Sequence, residues 1–167
     1  MDTYICKICG NACMFGGKPT NCPLCGALSK YLLDPKTYKV PVIKSLTQKT
    51  GDNIIDCIKF LVSLSQFYLA SAKASKDASF KARYRMLGKM EAEHVRVLSD
   101  LIGAQPPTIE EDYAVPKKHD SDNQTLAADF RKKAEQLYRK ALSEATELRA
   151  KDVFYAFIEF ETGNNRK

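Results

Sequence analysis

The sequence lacks several features that would place it in common protein classes. Its first five residues, MDTYI, contain neither a basic segment nor an apolar run, so we expect no secretory signal and a reducing, cytoplasmic location. No stretch approaches about 18 consecutive apolar residues, so we expect no membrane span. The lysines are scattered singly and are not interleaved with stacking aromatic residues, which argues against a nucleic-acid partner.

Two cysteine pairs near the start of the chain form its most distinctive pattern. The first cysteine loop, residues 6–10, reads CKICG, and the second cysteine loop, residues 22–26, reads CPLCG. A Cys-x-x-Cys turn places two sulfurs on one side of a loop, so two facing loops supply four soft ligands at tetrahedral corners. Zinc and iron both accept this geometry. The predicted metal ligands are Cys6, Cys9, Cys22 and Cys25.

A glycine ends each cysteine loop. Gly10 and Gly26 follow the second cysteine of their pairs, where the backbone often needs a positive φ that glycine adopts without steric cost. We expect the amide of each glycine to donate to a ligand sulfur.

With 167 residues, the chain is long enough for one main domain and a small appendage. The segment 1–34 has too little apolar mass for its own core, so metal binding would supply its folding free energy. Residues 35–52 contain turn residues without a sustained period and are interpreted as a linker. Residues 53–167 form the predicted helical domain.

Positive charge is concentrated in the N-terminal part of the chain. Residues 1–50 contain seven lysines and two aspartates, which gives +5 of the formal net charge of +6. Four thiolates on a divalent metal would subtract two from this value. The surplus either keeps the surface soluble or steers an acidic partner.

Hydrophobic periodicity predicts four helices, at about 53–76, 79–102, 123–147 and 150–162. The twenty residues between the second and third helices contain three prolines and are too long for a tight turn. One long connection among short ones is typical of a ferritin-like bundle, where the second-to-third link runs from one end to the other. The predicted fold class is therefore all-α, a ferritin-like four-helix bundle with a small N-terminal metal module.

The second helix contains two polar residues within an apolar seam. Glu91 and His94 occupy seam positions, where a carboxylate and an imidazole are costly unless they are paired, hydrogen-bonded or bound to metal. Their i, i+3 spacing forms the Glu-x-x-His unit used by di-iron bundles. The alternative is a rotated helix on which both residues face water beside Arg96. The seam residues, which step by four and three, are Phe80, Tyr84, Leu87, Glu91, His94, Leu98 and Leu101.

Two Cys-x-x-Cys-Gly loops followed by a bundle with Glu-x-x-His on its second helix resemble the rubrerythrin family, in the reversed order that places a rubredoxin-like module first. The resemblance covers nearly the whole chain and is most specific in the N-terminal module and in residues 68–101. It implies a cytoplasmic, usually dimeric protein whose Fe(Cys)4 centre passes electrons to a carboxylate-bridged di-iron centre. That di-iron centre reduces hydrogen peroxide.

The chain departs from this family at the bundle site. A complete site needs a glutamate from each of two helices and Glu-x-x-His from each of the other two. No glutamate precedes Glu91, and the family's first carboxylate position holds Lys59 or Ser63. On the third helix, Phe130 and Lys133 stand where the resemblance requires glutamates. The predicted apolar seams are Ile55, Ile58, Val62, Ser65, Leu69 and Ala72 on the first helix and Ala127, Phe130, Ala134, Leu137 and Ala141 on the third.

The fourth helix is also incomplete as a source of ligands. Its seam runs through Phe154 and Phe157 to Glu161, but its second motif reads Glu161-x-x-Asn164, and the following Gly-Asn-Asn sequence stops a helix. Three of six ligands therefore remain, Glu91, His94 and Glu161. We interpret them as a hydrogen-bonded relic or a partial second metal site, and not as a bridged metal pair.

Two further cysteines and one histidine have simpler interpretations. Cys57 lies among isoleucines and is interpreted as a small buried hydrophobe. Cys13, four residues after Cys9, is either a competing ligand or a nearby thiol, although the two-pair pattern is complete without it. His119, beside two lysines in the proline-containing connection, is interpreted as a solvated residue.

These observations favour an iron-binding redox protein, an electron carrier or accessory subunit whose bundle serves as a scaffold. Its partners would be a redox protein or a larger oxidoreductase complex, with a homodimer or a subunit of that complex as the assembly. One alternative is a non-haem iron peroxide reductase, which requires ligands that this sequence does not supply. A second alternative is an interaction protein with a purely structural zinc ribbon.

Overall fold

A three-stranded antiparallel sheet forms the N-terminal part of the protein in a computed structural model that describes residues 1–41, 45–110 and 115–164. Strand β1 spans Asp2–Cys6, β2 spans Ala12–Phe15 and β3 spans Leu32–Leu33, in the spatial order β2-β1-β3. A short 3-10 helix, Ser29–Tyr31, precedes β3. The first cysteine loop joins β1 to β2, and the second lies between β2 and β3, so both loops meet at one end of this small sheet.

Four long helices make up the rest of the described chain. They are α1 (Gln48–Ala74), α2 (Ala78–Leu101), α3 (Asp120–Glu144) and α4 (Leu148–Asn164). Helix α1 packs against α2 and α3, and α3 packs against α4. The predicted four-helix bundle with a small N-terminal module is confirmed at this level. The long α2–α3 connection is also present, although its residues 111–114 lie outside the described part of the chain.

Side-chain caps explain where two of the helices begin. Helix α1 begins five residues before its predicted start because the hydroxyl of Thr47 accepts a hydrogen bond from the amide of Thr50 at 3.3 Å. A carboxylate of Asp77 accepts from the amide of Phe80 at 2.6 Å and caps α2. The turn between α1 and α2 is correspondingly short.

The prediction for the α2 seam is confirmed, since all seven of its residues are buried. The prediction for α1 is partly confirmed, because Ser65 and Ala72 are buried, whereas Ile55 is 40% exposed and Ile58 and Val62 are only partly buried. This helix is apolar on several sides, so periodicity alone does not fix its inner face. Its most buried large residues are instead Ile54, Cys57, Leu61, Leu64 and Tyr68.

The α3 prediction is partly confirmed. Ala127, Ala134 and Ala141 are buried, whereas Phe130 and Leu137 lie at the edge of the core. Tyr138, and not Leu137, fills the interior at this level and is 1% exposed.

Helix α1 is the one described helix that is long and apolar enough to cross a membrane. The sequence pattern predicts no such helix. About half of the most apolar segment, 56%, is buried inside the bundle. Gly88 of α2 lets the two helices approach closely, since Ser65 Oγ donates to its carbonyl at 2.7 Å. Helix α1 therefore packs as a core helix of this bundle.

Candidate metal centre

The sulfurs of the two cysteine loops converge as predicted, and we refer to the four cysteines of these loops as the tetracysteine centre. The Sγ atoms of Cys6 and Cys25 are 3.7 Å apart, and those of Cys9 and Cys22 are 3.8 Å apart. All four lie within 4.8 Å of one another. A tetrahedron with metal–sulfur bonds of about 2.3 Å has edges of about 3.8 Å. The four thiols thus fit a tetrahedral zinc or iron ion, and they are too far apart for disulfide bonds.

The two loops have matching backbone conformations. Gly10 has a φ of 76° and Gly26 a φ of 72°, so the expected left-handed glycines are both present. Their amides donate to the carbonyls of Cys6, at 2.8 Å, and of Cys22, at 2.9 Å. The expected amide-to-sulfur bonds from these glycines are therefore replaced by bonds that close each loop on itself.

The thiols influence one another's ionisation because they are crowded. Hydrogen bonding from Cys25 and the other two cysteines lowers the pKa of the Cys22 thiol. The same contacts, Cys22 first, raise the pKa of the Cys25 thiol, which holds its proton among its neighbours. A metal cation would replace these shared protons, since all four ligands bind as thiolates.

The sulfur cluster is closed to solvent, although the loops around it are not. The four cysteines are between 0% and 7% exposed, and Cys9 is the most exposed of them. Leu24, between the cysteines of the second loop, is 42% exposed. The ligands are thus shielded while a loop residue between two of them reaches the surface.

Two arginines of the bundle hold the first cysteine loop. Arg149, in the first turn of α4, donates from Nη1 to the carbonyl of Lys7 at 2.7 Å and from Nη2 to that of Ile8 at 2.5 Å. Arg96 of α2 donates to the carbonyl of Cys9 at 2.6 Å. These bonds fix three consecutive carbonyls of one loop, so bundle side chains add to the bond by which the loop closes on itself.

The second cysteine loop rests on a histidine and a phenylalanine. His94 Nε2 donates to the carbonyl of Cys25 at 2.8 Å, and the imidazole stacks on Phe157 with ring centres 3.9 Å apart. Gly26 is pressed against Phe160, so that a Cβ at position 26 would lie 2.3 Å from Phe160 Cδ2. The second loop therefore depends on glycine for its fit to α4 as well as for its conformation.

The residues predicted for a second site lie in the bundle interior. Glu91, His94 and Glu161 are fully buried, beside the phenols of Tyr68 and Tyr138, and we refer to these five residues as the acidic cluster. His94 Nδ1 is 3.2 Å from Glu91 Oε2. Nε2 carries the proton that it donates to the carbonyl of Cys25. The contact between Nδ1 and Glu91 needs a second proton, which lies either on Nδ1 or on the carboxyl group of Glu91.

Within the described ranges, the ligand atoms of the acidic cluster are not gathered as those of the cysteines are. The tetracysteine centre is the one set of three or more metal-ligating side chains that meet within 4.8 Å in these ranges. Both nitrogens of His94 are engaged, the outer one with the cysteine module. A metal at this histidine would require one of these bonds to break.

Several polar atoms of the acidic cluster have no hydrogen-bond partner within the described parts of the chain. They are both carboxylate oxygens of Glu161, Oε1 of Glu91 and the hydroxyls of Tyr68 and Tyr138. Burial raises the pKa of Glu161 well above its usual range, and the nearby Glu91 raises it further. Burial likewise raises the phenol pKa values of both tyrosines.

The remaining candidates lie outside both groups. Cys13 sits on β2, where its Sγ donates to the carbonyl of Tyr4 at 3.6 Å, and it is not a member of the tetracysteine centre. Cys57 is 1% exposed, and burial raises the pKa of its thiol to about 12, which confirms its interpretation as a buried hydrophobe. His119 is exposed, as expected.

No protein-family model, no curated protein and no solved structure matches this chain.

No sequence pattern indicates the residues that join the module to the bundle. Arg149 and Phe160 carry no local motif, and they lie more than a hundred residues from the loops that they contact. From the sequence alone, Arg96 is interpreted only as a residue of a solvated helix face. A tertiary fold was needed to show these contacts, because no spacing rule links them to the cysteines.

Proposed function

We propose that this chain is a rubrerythrin-like redox protein that carries one electron on an iron ion bound by Cys6, Cys9, Cys22 and Cys25. The observation that carries this proposal is the sulfur geometry, with edges of 3.7 and 3.8 Å that match a tetrahedral tetrathiolate site. Iron in such a site supplies reversible ferric–ferrous chemistry. The free thiols suit a reducing compartment such as the cytoplasm.

The protein's contribution to electron transfer would be to hold the ligands still. The loop-closing bonds from Gly10 and Gly26 fix each pair of sulfurs. Bundle side chains then fix both loops through their carbonyls, which limits movement of the sulfurs when the charge of the site changes. Leu24 at the surface gives a redox partner a close approach to the centre.

The bundle is proposed to act as a scaffold of the ferritin-like type. Its short α1–α2 and α3–α4 turns and long α2–α3 connection agree with that connectivity. His94, the residue best placed for bundle chemistry, is committed to Glu91 and to the carbonyl of Cys25. The acidic cluster lacks the glutamates of a bridged metal pair, which makes peroxide reduction by this chain the weaker proposal.

The experiment is a reductive titration of the full chain, expressed in iron-replete medium, with its visible spectrum recorded at each step. We expect ferric-thiolate absorption that bleaches on addition of one electron per chain and returns on reoxidation. A Cys25→Ser variant should lose this absorption, whereas Cys13→Ser should keep it. An unsubstituted chain that binds iron but shows no reversible bleaching would contradict the proposal, and native protein carrying zinc would favour a structural zinc ribbon.

A further inference from the structure

We propose that Arg149 is the fixed positive charge of the tetracysteine centre and that it raises the reduction potential of the bound iron. This inference rests on the proposed function, because it concerns how the iron site is tuned. It assigns to a bundle residue a role that no sequence motif indicates. Three separate observations support the proposal. They are the contacts of the guanidinium, its lack of a carboxylate partner in the described chain and its position on α4.

The contacts place a cation directly against the first cysteine loop. The guanidinium of Arg149 spans the carbonyls of Lys7 and Ile8, at 2.7 and 2.5 Å. These are the two residues between Cys6 and Cys9, so the charge is held beside two of the four sulfurs. The side chain is partly buried, which weakens screening of its charge by water.

Within the described ranges, no carboxylate forms an ion pair with Arg149. Asp152, the acidic residue whose charge reaches it most strongly, is paired with Lys7 Nζ at 2.7 Å. Arg96 differs in this respect. It contacts Glu93 at 2.7 Å and Asp100 at 2.5 Å while it holds the carbonyl of Cys9. Both arginines thus hold the first cysteine loop. Within the described ranges, Arg96 has carboxylate partners and Arg149 has none.

The stability of α4 does not explain this placement. A cation in the first turn of a helix interacts unfavourably with the positive end of the helix dipole. The cysteine module offsets this, because four thiolates exceed the charge of a ferric or ferrous ion and leave the site negative.

Reduction makes the site more negative, which is why an unpaired cation favours the reduced state. The centre accepts one electron from a redox partner and no proton, so its net charge changes from minus one to minus two. A partly buried guanidinium stabilises the second state more than the first. The paired charge of Arg96 contributes less, since its two carboxylates cancel most of its field.

The test compares the reduction potentials of the iron-loaded full chain and of Arg149→Gln, Arg149→Lys and Arg96→Gln. The ferric-thiolate absorption is followed in the presence of redox mediators. For Arg149→Gln we expect the equilibrium constant for reduction to fall at least about tenfold, which is about 59 mV for one electron. Arg149→Lys keeps the charge and should recover more than half of this shift. Arg96→Gln should change the constant by less than about threefold.

A second readout does not depend on electron transfer. Tetrathiolate cobalt(II) carries two negative charges, so Arg149→Gln should bind Co²⁺ more weakly than Arg96→Gln does. Helical circular dichroism and iron content verify that each variant is folded. If Arg149→Gln does not fold, Arg149→Met supplies a neutral side chain that fills similar space.

The outcomes separate this inference from the proposed function. An unsubstituted chain that cycles reversibly, with Arg149→Gln at the same potential and the same Co²⁺ affinity, overturns the role of Arg149 alone. The role of Arg149 is also overturned if Arg96→Gln and Arg149→Gln lower the reduction potential equally. The shift would then come from loss of loop positioning and not from loss of an unpaired charge. An unsubstituted chain without a reversible one-electron couple overturns the proposed function, and this inference with it.

Discussion

His94 connects the acidic cluster to the tetracysteine centre, but only the tetracysteine centre is a complete set of metal ligands. In the tetracysteine centre, four ligand atoms of one type face one another, and bundle side chains hold both loops. In the acidic cluster, three of the four carboxylate oxygens are buried without partners in the described chain, and both histidine nitrogens are already engaged. A metal site needs ligands that converge as well as ligands that are buried, and only the first region has both.

The largest expected effect is on metal content, when one candidate ligand is removed from each of the two regions. Cys25→Ser should abolish stoichiometric metal binding, because three thiolates hold a tetrahedral ion far less well and the small module has little core of its own. Apparent binding free energies of structural zinc sites are about 10–16 kcal/mol, so much of the folding free energy of the module should be lost. Glu161→Gln should leave metal content unchanged. Elemental analysis of both variants, with circular dichroism of the helices, checks this.

Substitution of the two loop glycines sharpens the contrast within the tetracysteine centre. Gly26→Ala should destabilise the protein by about 2–5 kcal/mol, because a positive φ costs about 1–2 kcal/mol and the new Cβ overlaps the ring of Phe160. Gly10→Ala should cost only about 1–2 kcal/mol, since its Cβ would meet nothing closer than the hydroxyl of Tyr38 at 3.7 Å. Denaturant unfolding of the metal-loaded variants measures both. Equal losses would show that the loop is not docked against α4.

Neutralising Glu161 tests whether the acidic cluster is a relic. Its pKa is raised on folding, so its contribution to stability is fully present below the unfolded pKa of about 4.3 and is lost as pH rises through the folded pKa. Glu161→Gln should therefore stabilise the protein near neutral pH, by about 1–3 kcal/mol, and have little effect below about pH 4. Thermal unfolding across pH measures this.

Glu159→Gln is the matched control for that substitution. Glu159 lies on the same helix but bonds to Lys30 and, at 3.0 Å, to the hydroxyl of Tyr31, so its neutralisation should destabilise the protein slightly at neutral pH. If Glu161→Gln instead destabilised metal-loaded protein and released a second metal ion, the acidic cluster would be a metal site.

The smallest expected effect concerns a carboxylate that has partners. Burial raises the pKa of Glu147, but hydrogen bonds from the amide of Thr47, the hydroxyl of Thr50 and the amide of Thr146 outweigh this and lower it to about 2. Its contribution is present above the unfolded pKa and is lost as pH falls towards 2. Glu147→Gln should cost about 1 kcal/mol near neutral pH and almost nothing below the folded pKa. A pH-independent loss in thermal unfolding would contradict this.

The sequence allowed prediction of those features whose signals are local. The cysteine loops, their left-handed glycines and the α2 seam follow from spacing and period, and the structure contains all of them. The predicted seam of α1 is wrong in the first half of the helix, because Ile54 and Ile55 are equally apolar and only packing against the other helices selects the first. The contact of His94 with Cys25 had no local signal, since it joins two segments 69 residues apart.

The most direct test of the central claim is the metal content per chain of protein purified from its native host, with the visible spectrum of the same sample. We predict one iron per chain with ferric-thiolate absorption, because within the described chain only the cysteines converge on a point. One zinc per chain and no visible absorption would contradict the electron-carrier proposal. Three irons per chain would show that the acidic cluster binds a metal pair, and the contrast between the two regions would then be wrong.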